Sequence, residues 1–371
     1  MHSLTTLLSP FNLLFLIILS GFAIGKIHIK HFSLDIAGIL FASIFAGVII
    51  RLCVSDIHAE IILNAQSTMK IFSKLGTSLF VSVIGFQTGL TIKSNSISSV
   101  IAFVIGSFMS MSGITVMMLI YAVDKTISFS SLLGVLCGAL TSTPGLSCVC
   151  ELLETGSEKA VMNYGCAYFL GVVLVVLFTK VFSNNTKKGE TRAEVSRYIQ
   201  SKIYPEFMLI CIVSLLGNII GGIKIACLNI TFGTTSSLLI VGLIVGFICS
   251  KASAEKYISA QCLNIFRSLG LALFFTGTGF ATGIQSMEID MKSVLYGALI
   301  TLVAILFGKL LCKIASSRFE VYDGFIVAGG MTSSPAYGAI SDKATETSIN
   351  CFSFSYFGAL ITLILLLQII I

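Results

Sequence analysis

Long apolar runs recur from one end of this chain to the other, separated by short polar stretches, and their spacing predicts the elements. Segments are expected at about 9–26, 36–52, 75–92, 97–122, 130–151 and 161–183, then at about 205–224, 236–250, 268–285, 292–316, 322–341 and 350–371. Runs of about 20 apolar residues span a hydrocarbon core as helices. Backbone groups in lipid must be bonded within their own segment, which favours helices, and the alternating pattern of a membrane β-barrel is absent. No Lys or Arg precedes the first run and no small-residue cleavage site stands before Lys26, so that run reads as a membrane helix and not as a signal peptide.

Between the sixth and seventh segments lies a polar stretch holding Lys187, Lys188, Arg192, Arg197 and Lys202. It divides the chain into a first membrane repeat (1–183), a cytoplasmic linker (184–204) and a second membrane repeat (205–371). The halves match. Leu75, Gly76, Leu79, Phe80, Gly85, Phe86, Thr88 and Gly89 recur 194 positions later, within 269–284. Thr141-Ser142-Thr143-Pro144 is matched by Thr332-Ser333-Ser334-Pro335, and Glu158, Tyr168 and Phe169 by Glu346, Tyr356 and Phe357. Ser43 and Gly47 correspond to Gly242 and Gly246. Matched blocks in one order mark a duplication, and many secondary transporters are built from repeats of this kind.

A repeat with an odd number of crossings inverts its partner. Six segments per half therefore give inversion only if one does not cross, and the Ser/Thr-Pro segments are the candidates, as re-entrant hairpins or broken helices. Lys and Arg divide 16 to 7 across the membrane with or without those two crossings. The first helix breaks the tie, because Lys26 and Lys30 follow it and no basic residue precedes it; the N-terminus is expected outside and the linker inside. The predicted fold is thus an all-α polytopic membrane protein of two inverted repeats, each about five spanning helices plus one interrupted segment.

Composition agrees with this. Of 371 residues, 56% are hydrophobic and 11% charged, with a mean hydropathy of +0.99; soluble domains carry about 25% charged residues. The net charge of +6 comes from basic residues scattered between apolar runs, which excludes nucleic acid as partner and leaves the lipid bilayer. Eleven cysteines lack metal-type spacing and read as small buried hydrophobes. There is no phosphate loop, zinc motif or nucleophile elbow, so the sequence argues against an enzyme, names no cofactor and leaves the coupling ion open.

The candidate chemistry lies where polar residues interrupt apolar segments. Pro144 and Pro335 disrupt the helix behind them. Thr141, Ser142, Thr143, Thr332, Ser333 and Ser334 then offer hydroxyls at the break, and the freed N–H groups and half-dipole suit a carboxylate. Gln87, Thr88 and Thr282 of the glycine-rich blocks are further substrate-binding candidates, though such glycines serve helix packing equally well. Ser43, Gly47, Gly242 and Gly246 fit small-residue packing. Arg267 stands just ahead of the second block and could reach an anion, while Lys309 is expected to snorkel to the interface.

The doubled motif, Gly138-Ala139-Leu140-Thr141-Ser142-Thr143-Pro144 with Gly329-Gly330-Met331-Thr332-Ser333-Ser334-Pro335, resembles the aspartate–alanine exchanger family, as do the blocks at 75–89 and 269–283. Members exchange amino acids or dicarboxylates across bacterial membranes. The resemblance implies a secondary transporter for a small carboxylate in the bacterial cytoplasmic membrane, working by alternating access as a homodimer with elevator-like motion. Familiar members carry a large soluble insert between the halves, where this chain has only the polar stretch. A cation–proton antiporter or channel of similar architecture is the alternative, and would want a buried Asp or Glu at the crossing point.

Overall fold

The runs become helices, and each half contributes the same series of elements. The computed structural model describes residues 9–371 except 27, 30–31, 34–35, 37, 54–58, 92–96, 154, 184–204, 226–229, 232, 253–257, 286–290 and 341–344; the linker falls outside the described residues. The first half runs α1 (Pro10–Gly25), α2 (Gly38–Cys53), α3 (Ala59–Thr91), α4 (Ile97–Val123), α5 (Phe129–Ala139), α6 (Thr143–Leu152) and α7 (Ser157–Ser183). The second runs α8 (Pro205–Gly221), α9 (Thr234–Lys251), α10 (Ala260–Gln285), α11 (Met291–Ala315), α12 (Asp323–Gly330), α13 (Ser334–Gly338) and α14 (Glu346–Ile370). Even the connections repeat: His28–Ile29 pairs with Phe32–Ser33 after α1, and Lys224–Ile225 with Ile230–Thr231 after α8, both antiparallel.

Seven of the described helices are long and apolar enough to cross a membrane, and α1, α2 and α8 are shorter apolar helices. Two elements exceed their prediction. Helix α3 begins at Ala59 rather than near 75, and α10 at Ala260 rather than near 268. The added turns carry Gln66, Ser67, Lys70 and Ser73 in α3, and Gln261, Asn264 and Arg267 in α10. Hydropathy does not register polar positions as membrane helix, although here they face cavities.

Neighbouring helix ends fix the direction of each element. Helices α5 and α7 run side by side in the same sense, Gly134 against Ala160 and Gly138 against Tyr164. Both start at one face, where Gly156 meets Ser130. There Lys292, at the start of α11, pairs with Asp124, just beyond α4. At the other face, the end of α11 meets the end of α7 through Lys309 over the Phe182 ring, 4.7 Å from its centroid. Lys309 also pairs there with Asp323, the first residue of α12. The α5–α6 and α12–α13 segments therefore enter from opposite faces. Ser147 and Glu151 near the end of α6 line the same cavity as Ser157 and Glu158 at the start of α7, so the first segment returns to the face it came from. These are re-entrant hairpins in two inverted repeats. The face of the α7 end and α8 start is called the linker face below.

The helices sort into two bundles, each drawing equally on both halves. Helices α1–α3 pack with α8–α10, and α4–α7 with α11–α14. Small residues make the first bundle possible. A Cβ on Gly89 would lie 2.3 Å from the Leu243 carbonyl oxygen, and one on Gly283 2.1 Å from that of Ile44. Ser43 donates its hydroxyl to the Phe275 carbonyl at 2.9 Å. The glycine-rich block of each half thus docks on the Ser43/Gly47 or Gly242/Gly246 helix of the other, as small-residue packing predicts.

Candidate functional site

The two hairpin tips meet. Helix α5 ends in a paired-carbonyl cap: the Thr141 N–H donates to the Gly138 oxygen at 2.9 Å and the Ser142 N–H to the Cys137 oxygen at 2.8 Å. Helix α12 ends identically, with Thr332 to Gly329 at 2.7 Å and Ser333 to Ala328 at 3.0 Å. That motif needs a left-handed residue, usually glycine. Here it is Thr141, at φ 52°, and Thr332, at φ 47°, and a branched side chain in that region costs about 1–2 kcal/mol.

The reason for threonine lies across the pseudo-twofold axis. The Thr141 hydroxyl donates to the Met331 carbonyl at 2.5 Å, and the Thr332 hydroxyl to the Leu140 carbonyl at 3.1 Å. Leu140 and Met331 are the C-cap residues of α5 and α12, whose carbonyls have no partner within their own helix. Each tip closes the orphan carbonyl of the other, where no water would do so.

Ser142 and Ser333 start the returning arms. Both are fully buried, and their hydroxyl oxygens accept from the N–H groups of Gly145 at 3.1 Å and Ala336 at 3.3 Å. Pro144 and Pro335 occupy the first helical turn behind them, where a missing N–H costs nothing. The Thr143 hydroxyl lies 3.2 Å from that of Tyr164, whose ring stacks on Tyr168. The side chain of Ser334 lies outside the described residues.

A cavity opens on either side of this clasp, between the bundles. The larger, about 760 Å³, lies toward the face opposite the linker, lined by α3, α6, α7, α8, α9 and α10. Its polar wall includes Lys70, Ser73, Lys74, Thr77, Ser147, Glu151, Glu158, Thr278 and Thr282. The smaller, about 130 Å³, lies toward the linker face and is lined by Ile84, Gln87, Thr88, Arg267, Phe352, Ser353 and Tyr356. The two are repeat-related, since Ile84, Gln87, Thr88 and Arg267 correspond to Thr278, Ala281, Thr282 and Ser73 at the offset of 194. Of the sequence candidates, Gln87, Thr88 and Thr282 therefore line cavities. Thr141, Ser142, Thr332 and Ser333 are buried between them, engaged with each other's helices and their own caps.

Polar contacts from Glu151 and Ser147 bridge the bundles at the larger cavity. Helix α9 starts at Gly233, which has no side chain to cap it, and Glu151 of α6 does so from the other bundle. Its carboxylate accepts from the N–H groups of Thr234 and Thr235 and from their hydroxyls, the latter at 2.6 and 2.8 Å. Such bonds are charge-assisted and favoured by the helix dipole. One turn earlier, Ser147 donates to Thr77 of α3 at 3.1 Å. The sequence offered no signal for Glu151, because the partner of a lone acid is set by tertiary structure. Outside the spans, the Thr126 hydroxyl foremost, then Tyr296 and Lys292, hold the Asp124 carboxyl well below the usual carboxylate range.

A family model described as a predicted permease membrane region, Asp-Al_Ex, matches residues 13–184 and 209–371. Among curated proteins, an uncharacterized transporter of Desulfotalea psychrophila is 32% identical over 188 residues, covering 49% of this chain and 31% of the relative. One from Bacteroides thetaiotaomicron is 32% identical over 199 residues, 51% of this chain and 33% of the relative. One from Corynebacterium glutamicum is 30% identical over 176 residues, 45% and 30% of the two chains. The matched stretches span about a third of the length of these relatives.

Proposed function

Since this chain belongs to the aspartate–alanine exchanger family of predicted permeases, we propose that it is a secondary transporter exchanging a small carboxylate, an amino acid or dicarboxylate, by alternating access. The observation that carries this reading is the pair of repeat-related cavities of unequal size, about 760 and 130 Å³, on opposite sides of the hairpin clasp. Inverted repeats that swap conformations exchange such cavities, and a solute in one passes to the other face without a continuous pore. The conformation is then open away from the linker face. The clasp between Thr141 and Thr332 is the barrier, and Ser142, Thr143, Pro144, Ser333, Ser334 and Pro335 hold its shape. Gln87, Thr88 and Thr282 meet the substrate in the cavities.

The clasp ties the hairpins to each other, which favours motion of α4–α7 with α11–α14 as one body against the other bundle. Glu151 and Ser147 would release as it moves. The basic linker supports a cytoplasmic setting for its face, in a bacterial inner membrane, and the first bundle would provide the interface of a homodimer. Proteoliposomes preloaded with L-aspartate, L-alanine or succinate test the function. Labelled solute should enter in exchange without ATP. Strict ATP dependence, or transport of cations alone, would replace this reading, the latter with the antiporter.

A further inference from the structure

Arg267 is the eighth residue of α10, which starts at the linker face, so its Cα lies about 10 Å along the helix. A guanidinium at that depth is costly unless it faces protein or a water-filled cavity, and ionisable groups so placed mark solute pathways. Arg267 is half-buried and lines the smaller cavity with Gln87, Thr88, Ser353 and Tyr356. Around it, Gln87 is oriented by the hydrogen bond its Nε2 donates to Asn264 Oδ1 at 3.1 Å. The Thr88 hydroxyl donates to the Ile84 carbonyl at 2.7 Å. Among the described residues lining this cavity Arg267 is the one charged side chain, and it acts on the Tyr356 hydroxyl beside it. The larger cavity differs, with Lys70 and Lys74 opposite Glu151 and Glu158. At the position equivalent to Arg267 it has Ser73.

We propose that Arg267 fixes the affinity and selectivity of the linker-face site, pairing its guanidinium with a substrate carboxylate when that cavity opens; this rests on the carboxylate-exchange reading above. The planar fork of Arg binds a carboxylate through two parallel N–H bonds, which a lysine does not reproduce. The opposite cavity, built without an Arg at this position, does not depend on it. The repeats are therefore alike in fold and unlike in recognition, and Arg267 makes the two faces kinetically inequivalent.

Right-side-out and inside-out vesicles carrying the full chain present opposite faces to labelled L-aspartate, L-alanine and succinate. For whichever probe the wild type carries, Arg267→Gln should raise KM roughly ten- to hundredfold for entry from the linker face and leave entry from the other face unchanged. Arg267→Lys should fall between the two. A purely structural role would raise KM in both orientations or lower the amount of folded protein, and either a symmetric rise or no change would overturn the proposal. Should Arg267→Gln fail to reach the membrane, Arg267→Lys decides by the same one-sided criterion. Wild-type vesicles idle with all three probes would overturn the exchange reading itself, and with it the role given to Arg267, before any variant is compared.

Discussion

Replacing Thr141 with valine keeps a branched side chain at φ 52° and deletes the bond to the Met331 carbonyl. The strain stays and the buried carbonyl loses its partner, which costs about 1–3 kcal/mol. Thr141→Gly deletes the same bond but relieves about 1–2 kcal/mol of left-handed strain. Part of that relief, about 0.5–1 kcal/mol, is lost to the greater freedom of glycine in the unfolded chain. The expected stability order is wild type, then glycine, then valine, with roughly 1 kcal/mol between the variants. Thr332 should follow the same order. The two bonds share one interface, so the Thr141→Val/Thr332→Val double variant should depart from additivity by at least about 0.5 kcal/mol. Reversible unfolding in mixed micelles, titrated with denaturing detergent, measures all of these. Valine as stable as wild type, or glycine less stable than valine, would refute the account of the clasp.

Gly283→Ala should sharply reduce folded protein, since its Cβ would meet the Ile44 carbonyl at 2.1 Å, whereas Gly165→Ala, with its nearest neighbour at 3.6 Å, should be tolerated; size-exclusion yield and thermal stability decide. In a background without native cysteines, Thr278→Cys should react with an impermeant thiol reagent from the face opposite the linker and Ser353→Cys, more slowly, from the linker face; labelling of both from one face would refute the inverted topology. The depressed Asp124 carboxyl gives stability that is present above the ordinary carboxylate range and lost as pH falls through its lower folded value. Thermal stability between pH 5 and 8 should therefore show no dependence traceable to Asp124, and Asp124→Asn should lose less stability than wild type on acidification below about pH 4.

Much of this was legible in the residues because the chain states it twice. The doubled Thr-x-x-Pro motif at matched repeat positions was enough for a pair of interrupted segments, and the glycine blocks for close packing. What escaped depends on partners distant in sequence. The first turns of α3 and α10 were missed because Lys70 and Arg267 look like loop residues until a cavity faces them. The motif hydroxyls of Thr141 and Thr332 read as free ligand groups, since sequence does not reveal which carbonyl waits 190 residues away. Glu151 could not be paired with a helix start in the other half.

The mutual closing of the tips also orders events in time. Thr332 leaves the ribosome about 10–40 s after Leu140 at ordinary rates of synthesis, and the Leu140 carbonyl has no hydroxyl to accept from until then. Until the second half arrives, the tip of the first re-entrant segment keeps a carbonyl without its partner, which disfavours its settling at depth by about 1–3 kcal/mol. Chains arrested short of residue 332 should leave a cysteine at position 142 open to aqueous reagents, and release of the arrest should close it.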